Sequence, residues 1–182
     1  MFLKVLGKLI YLLDQKKTGK NSKEEQFQKV VQMNKFDAIW LTGQPASGKT
    51  TLANLLLDEL SRNSKKKYFN IDGDDLRSLF QNKDYSRKGR EANIRLGMSI
   101  AAYLINKNCI PIVSLVSPYR NLREEFKSSF NVLEVYIHTT EIRGRENFFV
   151  KEYEPPKESF LDMNTTNKTE LESLNEILNV YR

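Results

Sequence analysis

Residues 38–51 read Ala-Ile-Trp-Leu-Thr-Gly-Gln-Pro-Ala-Ser-Gly-Lys-Thr-Thr and constrain the fold more than any other stretch. An apolar run of β type ends at Thr42, and an apolar run of helical type begins at Leu52. Between them stands Gly43-x-x-x-x-Gly48-Lys49-Thr50, the spacing of a phosphate-binding loop in the setting it needs, from a strand into a helix. Its two glycines permit backbone angles that a Cβ would block. Successive N–H groups can then curl around phosphate oxygens at the positive end of a helix. Gly43, Gln44, Pro45, Ala46, Ser47, Gly48, Lys49, Thr50 and Thr51 are therefore the candidate contacts to ATP. Lys49 is expected to reach the β- and γ-phosphates, and the Thr50 hydroxyl to ligate Mg²⁺.

From Phe36 onward, strand and helix patterns alternate. Short β-branched or aromatic runs bounded by polar residues predict strands at 37–42, 68–72, 110–116 and 132–138. Helical periodicity fills the gaps at 49–62, 75–81, 88–107 and 121–129, the longest carrying Ile94, Met98, Ala101 and Ile105 on one stripe. A last helix is expected from Thr169 to Tyr181, with a capping box at Thr169-Glu170-Leu171-Glu172 and Leu171, Leu174, Leu178 and Tyr181 inward. Repeated βα units predict a three-layer α/β/α P-loop NTPase fold around a mainly parallel sheet, with ligands beyond the carboxyl ends of the strands. A chain of 182 residues is long enough for one such domain, here placed at 37–182.

Residues 1–36 read differently. Phe2, Val5, Leu6, Leu9, Ile10, Leu12 and Leu13 recur at three- and four-residue spacing, an amphipathic helix followed by a polar linker at 18–23. It is too short and too charged to span a bilayer, and Asp14-Gln15-Lys16-Lys17 follows where a signal peptide would carry a small-residue cleavage site. Packing on the domain or on a second copy of the chain, as in a homodimer, is the plainer expectation. Peripheral membrane contact through residues 2–13 is the sharper one.

The formal charge of +6 is spread along the chain, and its one dense run, Lys65-Lys66-Lys67, falls between a helix and a strand. That pattern fits a solvated turn and a phosphate pocket better than a nucleic-acid surface. A single cysteine, Cys109, excludes an internal disulfide, and with His138 the only histidine a zinc site lacks ligands. The cytoplasm, where ATP is available, is the expected compartment.

The second strand runs into Asp72-Gly73-Asp74-Asp75-Leu76-Arg77, three carboxylates at the edge where the phosphate loop also lies. One can hold Mg²⁺ and another can take a proton from an attacking hydroxyl; capping the next helix is the structural role Asp also suits. Arg77, Arg90, Asn93 and Arg95 then supply donors for an anionic substrate, and Val116-Ser117-Pro118-Tyr119-Arg120 adds hydroxyl and guanidinium groups at the third strand's end.

These four motifs, in this order and spacing, resemble the adenylyl-sulfate kinases, which phosphorylate the 3′-hydroxyl of adenosine 5′-phosphosulfate with ATP. The similarity covers roughly residues 37–143 and resumes at Tyr153-Glu154-Pro155-Pro156. The resemblance implies Asp74 as general base and Asp72 near Mg²⁺. It implies Arg77, Arg90 and Asn93 around the acceptor nucleotide, with Val116 and Arg120 beside it. Ser117 matches the position described in the family as a phosphoserine intermediate, a role that direct in-line transfer does not need. Arg143 matches an arginine near the ATP adenine.

Two departures stand out. Asp75 replaces an asparagine of the family, and the long lid that follows Arg143 is reduced, after Gly144 in place of an aspartate, to Arg145 through Glu152. Within that remnant, Phe148 or Phe149 is expected to stack on a base and Lys151 to supply charge. A shortened lid also leaves open a kinase of another nucleotide, such as cytidine diphosphoramidate in surface-polysaccharide modification. A non-catalytic nucleotide-binding module is disfavoured by the retention of Lys49, Thr50, Asp72, Asp74 and Arg77 together.

Overall fold

The computed structural model describes residues 36–182, so the helix expected over 2–13 and its linker lie outside the described residues. All five residues of β1 (Ala38–Thr42) are buried, as an apolar strand must be when both faces of its sheet are covered. The chain continues through α1 (Lys49–Asn63), β2 (Lys67–Asp72), α2 (Gly73–Leu79), α3 (Arg87–Asn106) and β3 (Cys109–Ser114). It ends with α4 (Arg120–Ser129), β4 (Val132–His138), β5 (Phe160–Asn164) and α5 (Glu170–Tyr181). The strands form one parallel sheet in the order β2-β3-β1-β4-β5. Trp40 in the central strand lies level with Val113 on one side and Glu134 on the other.

The period-two alternation of β1 divides the core. Ile39 and Leu41 face α1 and α5 in one apolar cluster, joined by Ile112, Val135, Ile137 and Met163. Ala38 and Trp40 face α2, α3 and α4 in the other, with Val113, Ile94, Leu122 and Phe126. Helices therefore cover both faces, and the three layers expected from the βα pattern are present. Because the strands are parallel, their carboxyl ends share one edge, and Thr42, Asp72 and Ser114 are brought together there. No helix among the described residues is long and apolar enough to cross a membrane.

Four details depart from the sequence reading. A fifth strand, β5, sits at the sheet's edge; Asp162 and Asn164 weaken its β signal, and only Met163 of its five residues is buried. Strand β3 stops at Ser114, two residues early, because the chain leaves the sheet toward Ser117, whose φ is +42°. Helix α2 starts at Gly73 because the Asp72 carboxylate caps it, accepting the Asp74 N–H at 2.8 Å; neither Asp74 nor Asp75 is the cap. In α5 the capping box forms at Thr169 and Glu172, but Ile177 turns inward while Leu171 is 64% exposed.

Candidate active site

The loop at residues 43–50 has the strained geometry that its glycines permit. Gly43 takes φ +150°, and a Cβ there would lie 2.1 Å from the Ile137 carbonyl oxygen. Gly48 takes φ +102° as the residue preceding α1. No side chain caps that helix, and no acid occupies its first turn, so its positive end faces the cleft undiluted. Lys49 is 8% exposed, and its Nζ donates to the Gln44 carbonyl at 2.7 Å. Burial pulls its pKa from 10.5 to about 8, against the opposing pull of Asp72 and Asp74.

Asp72 joins loop to sheet. Its Oδ2 accepts from the Thr50 hydroxyl at 2.8 Å and from Ser114 Oγ at 2.9 Å. A hydroxyl and a carboxylate in contact are the hard oxygen donors that Mg²⁺ prefers, so this pair fits that ion. Asp74 sits in the first turn of α2 and lines the cleft. Asp75 is exposed and does not line it.

Across the cleft, two guanidinium groups share one ring. Arg77 lies 4.2 Å above the centre of Tyr85 and Arg90 lies 5.6 Å from it. Arg77 donates to the carbonyls of Asn82 and Asp84 at 3.1 and 2.8 Å, and Arg90 Nε donates to the Tyr85 carbonyl at 2.8 Å. Burial, reinforced by the charge of Arg90, lowers the pKa of Arg77. Asn93 is 6% exposed; its Nδ2 donates to the Gly73 carbonyl at 3.2 Å. Its Oδ1 is the one buried side-chain polar atom without a partner among the described residues.

Val116, Ser117 and Pro118 line the same cleft, whose volume is about 900 Å³. Thr42 Oγ1 donates to the Val116 carbonyl at 2.9 Å. The Ser117 hydroxyl accepts from Trp40 Nε1 at 3.2 Å, and the residue is 1% exposed. Phe148 and Phe149 reach the cleft at the end of a short 3₁₀ turn, Glu146–Phe148.

Six expected contacts do not line the cleft: Gly43, Gln44 and Ser47 of the loop, and Arg120, Arg143 and Lys151. Arg120 is used on the segment that returns to it, its backbone N–H donating to Glu154 Oε2 at 3.0 Å and its Nε to the Pro155 carbonyl at 2.9 Å. Arg143 is held on the phosphate loop, paired with Glu141 at 2.7 Å and donating to the Ser47 carbonyl at 3.2 Å. Lys151 is exposed, outside the lining. Tyr85, Ser114, Leu115, Arg145 and Asn147 line the cleft without having been expected there, and Ile94, expected only on a helical stripe, lines it too. The placing of Tyr85 between two arginines expected to meet an anionic substrate was the available signal for the first. Arg145 and Asn147 stand beside the phenylalanines already singled out.

The family model described as adenylylsulphate kinase matches residues 35–148, more than half of the chain. The chain belongs to that family. Among its relatives, the adenylyl-sulfate kinase of Buchnera aphidicola subsp. Acyrthosiphon pisum is 37% identical over 110 residues, covering 58% of this chain and 53% of that protein. The adenylyl-sulfate kinase of Pseudomonas aeruginosa is 36% identical over 126 residues, covering 66% of this chain and 63% of its own. The chain thus spans about half to two thirds of the length of the curated relatives it matches first. In fold it is similar to the Mycobacterium tuberculosis APS kinase CysC solved in complex with AMPPNP and APS, with a TM-score of 0.68 and 21% identity over 79% of this chain and 95% of that one.

Proposed function

We propose that the protein is an ATP-dependent kinase that phosphorylates the 3′-hydroxyl of adenosine 5′-phosphosulfate, working in the cytoplasm. One observation carries the reading. Asp74 lines the same cleft as Lys49 and Thr50 of the phosphate loop and as Arg77 and Arg90, so one carboxylate shares the space of the donor loop and the arginine pair. Membership of the adenylylsulphate kinase family supports the choice of donor and acceptor.

In this reading the loop N–H groups and Lys49 hold the β- and γ-phosphates of ATP. Thr50 and Asp72 would hold Mg²⁺, which supplies neutralising charge to those phosphates. Arg77 and Arg90 draw in the anionic groups of the acceptor, and Asn93 Oδ1 accepts a hydrogen bond from it. The acceptor hydroxyl oxygen bonds to the γ-phosphorus as the bond to the β-phosphate bridging oxygen breaks. Its proton passes to Asp74 and ADP leaves. Ser117 takes no covalent part, since its hydroxyl is buried against Trp40 and direct transfer requires no nucleophile from the protein.

A second reading keeps the chemistry and exchanges the acceptor for another nucleotide, such as cytidine diphosphoramidate. The short strap after Arg143 favours it, because Lys151 stands outside the cleft and leaves only Arg145 as a strap cation in the lining. Incubation with ATP, Mg²⁺ and each acceptor, following ADP release, separates the two. Release stimulated by adenosine 5′-phosphosulfate and lost in Lys49→Ala is the expected result. If no nucleotide acceptor stimulates release, kinase activity of this kind is refuted.

A further inference from the structure

The strap from Arg143 to Val150 is fastened to the phosphate loop at both ends. At its start, Arg143 Nη1 donates to the Ser47 carbonyl at 3.2 Å. At its end, the Gln44 carboxamide pairs with the backbone of Val150 in both directions. Gln44 Nε2 donates to the Val150 carbonyl at 3.0 Å, and the Val150 N–H donates to Gln44 Oε1 at 2.9 Å, across 106 residues of sequence. A side-chain amide used in this way imitates a neighbouring peptide, and both of its polar groups are satisfied by one residue. Val150 itself is only 9% exposed, whereas Arg145, Asn147, Phe148 and Phe149 between the fastenings line the cleft.

A long lid can swing and close over its substrate. A strap this short, held at both ends, cannot swing far. We infer that Gln44 is a positioning residue: its side chain latches the strap to the phosphate loop and so holds Asn147, Phe148 and Phe149 as a fixed wall against the acceptor nucleotide. Placing the latch on the loop that grips the donor phosphates gives donor and acceptor a common frame. The inference rests on the kinase reading for its consequence, although the latch itself can be tested without turnover.

The experiment compares the wild type with Gln44→Ala, which removes both bonds, and Gln44→Glu, which keeps the acceptor for the Val150 N–H but sets a carboxylate oxygen against the Val150 carbonyl. Limited trypsin digestion reads the strap at Arg145 and Lys151, with cleavage in the exposed Lys65-Lys66-Lys67 run as an internal reference. Both variants are expected to be cut in the strap at least about fivefold faster relative to that reference. Both should also raise the acceptor KM by roughly tenfold, the scale of two modest hydrogen bonds, with a smaller change in the ATP KM and in kcat. Unchanged strap cleavage overturns the latch whatever the kinetics show. Faster cleavage with an unchanged acceptor KM overturns the positioning role. A fall in kcat alone would assign Gln44 to the transferred phosphate and would also overturn it. Absence of turnover on every nucleotide defeats the kinase reading instead, and the digestion still decides the latch.

Discussion

Arg123 offers the severest test of how this cleft is built. Its side chain and that of Glu134 are each 1% exposed, and Nε meets Glu134 Oε1 at 2.7 Å. The rest of the guanidinium binds two carbonyls, Ser117 at the cleft wall and Glu154 where the chain returns from the strap, the latter at 2.6 Å. Arg123→Met keeps most of the apolar stem and deletes every one of these bonds. Removing one partner of a buried ion pair costs about 3–5 kcal/mol, because the other charge stays behind without compensation. Here Lys127 still reaches Glu134 Oε2 at 2.8 Å, so the lower end, about 3 kcal/mol, is expected. For a domain of this size that lowers the melting temperature by roughly 6–12 °C. Urea unfolding followed by circular dichroism measures the loss. The double variant Arg123→Met/Glu134→Leu should recover about 1–2 kcal/mol of it, since the stranded carboxylate is then gone while Lys127 keeps Glu124 at 3.0 Å. A loss below about 1 kcal/mol for the single variant, or a double variant no more stable than the single, would refute the view that charge burial sets the cost.

Three further outcomes are expected. Lys49 has a folded pKa of about 8 against an ordinary 10.5, so the cost of burying its charge is fully present below pH 8 and lifts between those values. Unfolding free energy should therefore gain a rising contribution across that window, absent in Lys49→Met, while kcat/KM for ATP falls above about pH 8 as the ammonium is lost; a flat profile through about pH 9 contradicts the assignment. Asp74→Asn should lower kcat by roughly 10²–10⁴ with little change in the affinity for an ATP analogue measured by calorimetry, and turnover within about threefold of wild type would remove Asp74 as the base. Gly43→Ala drives a Cβ into the Ile137 carbonyl and should cost more than about 2 kcal/mol in urea unfolding together with ATP-analogue binding; a variant as stable as wild type would show that the loop can relax there.

What the sequence determined by itself is what contiguous residues determine. Gly43 through Thr50 specify a phosphate loop because its geometry is set by local backbone angles and by a strand and a helix on either side. The βα alternation specifies a parallel three-layer core in the same way, and Asp72 through Arg77 reach the active edge because they follow a strand. Strand β5 escaped because an edge strand is defined by its neighbour, here β4, more than by its own composition. The destinations of long polar side chains escaped for a related reason. Arg120 is engaged by Glu154 and Pro155, more than thirty residues away, and Gln44 by Val150, 106 residues away. A guanidinium or carboxamide can satisfy its hydrogen bonds in many directions, so its own position in the chain does not choose among them. Only the packed fold does, by deciding which carbonyls come within reach. The phosphate loop is legible in the order of its residues; its attachment to the strap that walls the cleft is decided by the tertiary structure alone.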